Sequence, residues 1–333
     1  MLTLPWVTNP SFLSKYSQTH EIYRKSNYIC LQMSTISPNI HEVSFQEEGH
    51  IYQNELGEKY ISATTLIGLY KKEFDGPYWS TYKSIKDVLS AKNQWDFYKI
   101  QAGGWEQVVD YWSQSPVHLD EVLDRTKYYL EMWRKEKEDA AEKGTKEHKV
   151  REDALLAQQR VYGSSKYTRD LIFEVGRDSI MKPNYNGNVV YAEARVWNDH
   201  YKIAGTVDKV EREGIYLDIK DYKTSKEIDK AGFRNEKMNH PLSEVLDCNF
   251  NHYQLQLSLY GWMLEQQGYK VRSLEIIHIR DGKKDLKYPA EYMPGWVERI
   301  LHHYDKHREH QEDPEHNNAG LCTEQGSCTE TSQ

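Results

Sequence analysis

The sequence predicts an α/β fold with a mixed central sheet flanked by helices, and three observations carry that expectation. Residues 189–197, 201–210 and 215–223 form successive runs suited to strands, separated by the polar turn Asn198-Asp199 and by Gly214. Residues 253–267 have a strong helical period that stops at Gly268, and a further strand at 271–279 and a helix at 296–304 follow. A charged helix carrying Gly144-Thr145-Lys146-Glu147-His148 and continuing through Glu152 toward Leu156 precedes them. The order helix, three-strand meander, helix, strand, helix is what a sheet covered by helices requires, since each element hides its apolar face on a neighbour.

The remaining elements follow in chain order. Residues 1–40 form an N-terminal extension, poor in acids and containing several Ser and Thr. Two readings of its first part stand open: a genuine leader with faint transit-peptide character, or translation beginning at Met33. From His41 the pattern alternates, with Val43 and Phe45 on one face. Gly49 breaks it before Ile51 and Tyr52, and a turn at 54–57 leads to Tyr60 and Ile61, so a hairpin or three-strand ribbon is expected. Ser62-Ala63-Thr64-Thr65 then precedes an apolar run, which places Ser/Thr caps, Thr64 and Thr65 among them, at a helix start. Residues 78–140 lack strand alternation and are dense in Trp, Tyr and Phe, the composition of a helical subdomain. The expected divisions are therefore an extension at 1–40, a hairpin and helical accessory subdomain at 41–140, a core at 141–308 and a disordered tail at 309–333. In that tail the composition collapses to polar residues.

Composition narrows the function. The chain has 333 residues, 28% charged and 12% aromatic, too rich in rings and apolar groups for a disordered protein. No apolar run approaches the roughly 18 residues needed to cross a bilayer, so no membrane partner is expected. Asp and Glu number 51 against 43 Lys and Arg, giving a net charge of −8. That excludes a uniformly basic nucleic-acid coat and leaves room for a local basic groove. Cys30, Cys248, Cys322 and Cys328 form no CxxC pair and no disulfide framework. A reducing, cytoplasmic setting is expected, with a mitochondrial one as the weaker alternative.

The chemistry concentrates in Gly205-Thr206-Val207-Asp208 and in Asp221-Tyr222-Lys223-Thr224. Carboxylates on adjacent antiparallel strands can converge at one end of a hairpin, and a lysine two residues after the second projects from the same face. Oxygen ligands for Mg²⁺ or Mn²⁺ beside an ammonium are what metal-assisted phosphodiester cleavage needs. A competing Asp-x-Lys, Asp218-Ile219-Lys220, overlaps the first. Ile215, Leu217 and Ile219 share one face of this strand, and parity puts Asp221 and Lys223 on that buried face and Asp218 and Lys220 on the other.

These residues resemble a known family. Gly144-Thr145-x-x-His148-x-x-x-Glu152, Glu193, Gly205-x-x-Asp208, Asp221-Tyr-Lys223-Thr224 and Gln256-Leu-x-x-Tyr260 follow the order of the RecB-like branch of the PD-(D/E)XK nuclease superfamily. Ile61-Ser62-Ala63-Thr64-Thr65-Leu66 is similar to a segment of the mitochondrial genome maintenance exonuclease and its phage relatives. The resemblance, strongest over 141–280, implies a restriction-endonuclease-like core. It also implies a divalent-metal-dependent DNA exonuclease that acts on a free end and leaves 5′-phosphates, in replication, recombination or repair. An endonuclease, an RNA-acting nuclease and a non-catalytic nucleic-acid-binding module are the alternatives. By the same resemblance Asp208 and Asp221 would hold the metal and Lys223 would be catalytic. His148 would be a further ligand, and Glu193 would support the metal or its water. Gln256, Tyr260 and Thr224 would meet the substrate; Thr64 and Thr65, caps first, could also contact a substrate phosphate through the free N–H groups of that helix start. Some relatives hold an iron–sulfur cluster through one upstream cysteine and a closely spaced C-terminal trio. Only Cys322 and Cys328 stand near the C-terminus here, so no cluster is expected. Of the many rings at 78–133, most are expected in a core and a few at the substrate.

Overall fold

The computed structural model describes residues 41–46, 48–162, 171–175 and 188–312. The N-terminal extension, Cys30, Cys322, Cys328 and the end of the expected tail lie outside them. Three short strands, β1 (Val43–Gln46), β2 (Ile51–Asn54) and β3 (Lys59–Ser62), form the expected ribbon. They lead into helix α1 (Ala63–Gly68). Helices α2 (Gly76–Ala91), α3 (Trp95–Gln101) and α4 (Val108–Gln114) precede α5 (Leu119–Tyr162), which runs for 44 residues. At 1.5 Å per residue α5 spans about 66 Å. Then come β4 (Leu171–Val175), β5 (Asn188–Asn198), β6 (Ile203–Glu213), β7 (Tyr216–Lys223), α6 (Asn249–Glu265), β8 (Lys270–His278), β9 (Leu286–Ala290) and α7 (Pro294–Glu312).

The nine strands among the described residues belong to one mixed sheet. The meander β5-β6-β7 is antiparallel, β7 pairs β8 in parallel, and β9 closes that edge. Pro289 sits in β9, where a missing N–H costs least. Helix α6 is buried from Gln254 through Leu264, wedged between the sheet and the outer helices α1 and α7. Its Gly261 lets it approach β8 closely, since a Cβ there would meet Val271 at 2.7 Å. The main core joins Leu66 and Ile67 of α1, Leu217 and Ile219 of β7, Leu255 and Leu259 of α6 and Ile300 and Leu301 of α7. A separate core of Ile85, Val88, Leu89, Val108, Trp112 and Val122 holds the helical part together.

The structure differs from the expected divisions in two places. The 140/141 division falls inside α5, because the mixed charges of 134–149 continue a solvated helix without a proline, and the single Gly144 does not end it. Ion pairs of Lys143 with Asp281 (2.5 Å) and Arg151 with Asp285 (3.0 Å) fix the second half of α5 against the sheet side. Leu155 packs there on Val190 and Ala192. Helix α7 continues to Glu312, past the expected 304 end and 308 division. Val297, Ile300 and Leu301 anchor it, and its charged residues suit a solvated face. No helix among the described residues is long and apolar enough to cross a membrane.

Candidate active site

The site lies where strand β6 changes neighbours. On one edge β6 pairs β5 along nearly its whole length. On the other edge it pairs β3 only at Ile203 and Ala204, and β7 only from Lys209 to Glu213. Residues 205–208 therefore face a fork in the sheet, and a cleft of about 910 Å³ opens there. Gly205, Thr206 and Asp208 line it together with Ser62, Ala63 and Thr64 at the start of α1. Tyr260 of α6 fills the back of the fork. A Cβ on Gly205 would stand 2.5 Å from the Tyr260 ring, so only glycine admits that ring.

Asp208 is 6% exposed, and its Oδ2 accepts a 2.6 Å hydrogen bond from the Tyr222 backbone N–H. Its Oδ1 faces His148 Nδ1 of α5 at 3.2 Å. Asp221, 2% exposed, continues the buried face of Leu217 and Ile219 and forms a 2.7 Å ion pair with Lys223 Nζ. Lys223 also donates to Gln256 Oε1 (3.1 Å), and Gln256 Nε2 donates to Tyr260 Oη (2.9 Å), one helical turn on. The Tyr253 ring lies 4.8 Å from the Lys223 ammonium.

Glu193 enters by a backbone inversion. Val190 and Ala192 pack on α5 while Tyr191 faces the main core, yet beyond Glu193 it is Ala194 and Val196 that face the main core. The reversal coincides with φ +52° at Glu193, a left-handed conformation inside a strand. Pairing with β6 keeps one register on both sides, Ala192 with Lys209 and Ala194 with Val207, so Glu193 stands opposite Asp208. A glutamate in that conformation carries strain of the kind that clusters at functional sites.

Electrostatics follow from this crowding. Burial opposes a charged His148, but the Asp208 carboxylate, with Glu193 and Asp221 behind it, outweighs burial and raises His148 to about 9. Burial pushes the Asp221 carboxyl up to about 6 against the pull of Lys223. Burial also opposes the Lys223 ammonium, and Asp221 and Asp208 more than restore it, so Lys223 stays charged. The carboxylates of the cleft thus hold His148 and Lys223 in their protonated forms.

A hard divalent ion fits this donor set. One ligand atom each from His148, Glu193 and Asp208 lies within 4.8 Å of the others, a spacing that one ion at about 2.0–2.6 Å from each can bridge. Asp221 stands beside this group with its charge shared by Lys223. Asp218 and Lys220 point elsewhere. Asp218 is held by Arg272 and Ser273, and Lys220 pairs with Glu211 at 2.8 Å.

The threonines behave differently from expectation. Ser62 is the N-cap of α1, its Oγ accepting from the Thr65 N–H, while the hydroxyls of Thr64 and Thr65 lie 3.0 and 2.7 Å from that same oxygen. The cap falls two or three residues before Thr64 and Thr65 because Ser62 is the last extended residue before the helix. Thr64 lines the cleft; Thr224 lies outside its lining, against Gly144 of α5. The sequence reading missed the opposite wall. Phe45, His50 and Tyr52 from the β1–β2 hairpin form an edge-packed ring cluster there, and Tyr52 Oη meets Thr206 Oγ1 at 3.0 Å. Their positive signal was only a β-ribbon pattern, which does not say where the ribbon docks.

Comparison with known families agrees with this geometry. No curated protein matches the chain. The model of the PD-(D/E)XK nuclease superfamily matches residues 106–329, about two thirds of the sequence. With a mixed sheet, flanking helices and at its fork an acidic cleft whose side chains could hold a cation, the chain belongs to the PD-(D/E)XK nuclease superfamily, whose members are metal-dependent hydrolases of nucleic acids.

Proposed function

We propose that this protein is a Mg²⁺- or Mn²⁺-dependent DNA exonuclease of the RecB-like branch, acting at a free end and releasing 5′-phosphates in DNA replication, recombination or repair. One observation carries the reading: Asp208, Asp221, Lys223, His148 and Glu193, drawn from three strands and a helix, meet in one cleft. In this reading Asp208, His148 and Asp221 hold the ion, and Glu193 supports it or its water. The bound ion would supply charge for the phosphoryl oxygens and lower the pKa of a water. Lys223, kept protonated and held by Asp221 and Gln256, donates to a non-bridging phosphoryl oxygen or orients the attacking water. Water adds to phosphorus in line, and the bond to the leaving 3′ oxygen breaks. Gln256 and Tyr260 set the position of Lys223, and Thr64, which lines the cleft, serves as a substrate contact, with Thr65 shaping the turn beside it.

The exposed His50 ring and the half-buried Phe45 ring on the cleft wall support an unpaired end as substrate, because splayed-out bases stack on such rings. The test is cleavage of end-labelled linear and of circular single- and double-stranded DNA, with and without Mg²⁺. The reading expects mononucleotide or short 5′-phosphorylated products from linear DNA only, and only with the ion. Equal turnover in chelator would overturn the mechanism. Equal cleavage of circles would make the enzyme an endonuclease, and preferential cleavage of RNA would reassign the substrate.

A further inference from the structure

A second cluster of metal-ligating side chains stands on helix α7, outside the cleft lining. His303 and His307 are one helical turn apart, and their Nε2 atoms lie 3.2 Å from each other. The hydrogen-bond pattern behind them fixes the state of one ring. Tyr70 is buried at the end of α1, and its hydroxyl donates to the Ile300 carbonyl at 3.1 Å. The same hydroxyl oxygen then accepts from His303 Nδ1 at 3.3 Å. With its proton on Nδ1, His303 presents a bare lone pair at Nε2, directed at His307. Metal-binding histidines show this arrangement, with one nitrogen on the ion and the other donating to an oriented oxygen.

The spacing suits one ion. Two imidazole nitrogens at about 2.05 Å from a tetrahedral zinc ion stand roughly 3.3 Å apart. A third imidazole is at hand on another segment. His240, exposed in the connection between β7 and α6, has its ring centroid 5.2 Å from that of His303, within reach of a side-chain rotation. We propose that His303 and His307, completed by His240, form a site for an imidazole-preferring transition ion of the Zn²⁺, Ni²⁺ or Cu²⁺ class. The site is distinct in place and ligand chemistry from the carboxylate-rich cleft. Neutral nitrogen donors without carboxylates discriminate against Mg²⁺. An ion there ties α7 to the β7–α6 connection, and through Tyr70 to α1, whose other end lines the cleft.

Equilibrium dialysis of the full chain against Zn²⁺, with bound metal counted, tests this. The expected result is that His303→Ala and His307→Ala each lose one zinc equivalent relative to wild type, while Asp208→Asn loses a different one and the double variant Asp208→Asn/His307→Ala loses both. Tyr70→Phe should weaken the α7 equivalent by about 10–100-fold, the usual cost of removing an oriented partner of a ligating histidine. His302→Ala, exposed on the same helix, should bind as wild type does. His307 is exposed, so its alanine variant keeps the fold, verified by circular dichroism, and keeps Mg²⁺-dependent cleavage in the absence of zinc. Zinc stoichiometry and affinity unchanged in both His303→Ala and His307→Ala would overturn the proposal, leaving the 3.2 Å contact as a hydrogen bond between two rings.

Discussion

Glu193 offers a prediction in which the usual order of two substitutions reverses. In an ordinary strand interior, glycine is less stable than alanine by about 0.5–1 kcal/mol, because it loses more backbone entropy on folding. At φ +52° an alanine or glutamate instead carries the left-handed penalty, about 1–2 kcal/mol, which glycine escapes. Subtracting the entropy cost from the left-handed penalty, mid-range from mid-range, leaves Glu193→Gly more stable than Glu193→Ala by about 0.75 kcal/mol. At about 2.1 cal/mol/K of unfolding entropy per residue, a chain of 333 residues turns that into a difference of about 1 °C in melting temperature. The assay is urea or thermal unfolding in chelator, so that no bound cation contributes. Both variants should lose cleavage, since neither returns a carboxylate opposite Asp208. Glu193→Gln should keep wild-type strain and also lose cleavage. If Glu193→Ala proves as stable as Glu193→Gly or more so, the strand does not reverse its faces through a left-handed residue and the placement of this carboxylate needs another explanation.

Three further outcomes follow from the same geometry. Gly205→Ala forces a Cβ into the Tyr260 ring, 2.5 Å away, and should cost about 1–3 kcal/mol by overpacking. Denaturant midpoints would show that loss, and cleavage should fall further than the stability does, because the Gln256 bond to Tyr260 also braces Lys223. Ser62→Ala removes the α1 cap and should lower stability by about 1 kcal/mol in a thermal melt. Lys223→Ala should reduce turnover by at least about 10²–10³-fold, with little rescue by arginine, whereas Lys220→Ala on the opposite face should turn over nearly as wild type. A folded Lys220→Ala variant as inactive as Lys223→Ala would move the catalytic assignment to the other Asp-x-Lys.

How much of this was legible in the sequence depends on where alternation holds. On β7 it is unbroken from Leu217 through Ile219 to Asp221, so counting by twos separated Asp221 and Lys223 from Asp218 and Lys220. On β5 the faces reverse at Glu193, and on β6 both Val207 and Val210 reach the main core although their parity differs. No period written in the sequence announces such a reversal, since it is a property of φ at one residue. The helices were readable as helices, but α5 also joined two expected divisions, because a run of mixed charges marks a boundary only if something in it ends the helix. Strand β9, with Leu286, Tyr288 and Pro289, gave too short and too broken a pattern to be anticipated. The hairpin rings that wall the cleft were visible only as a ribbon. Their position is set by the parallel pairing of Ile61 with Ile203, a contact across more than a hundred residues.

That single parallel contact also explains why the cleft exists at all. Had β7 paired with β6 along its full length, the edge of residues 205–208 would be closed by backbone hydrogen bonds, and Asp208 would accept nothing from Tyr222. Because β3 claims one end of that edge and β7 the other, the middle is left for side chains. Helix α6 supplies Gln256 and Tyr260 to it, α5 supplies His148, and β5 supplies Glu193 from the opposite edge. The carboxylates gathered there repel a phosphate as strongly as they attract a cation, so binding of the ion and binding of the nucleic acid must favour each other. A chain with a net charge of −8 can in this way act on a polyanion, because a divalent ion together with the Lys223 ammonium would make the cleft attractive to phosphate.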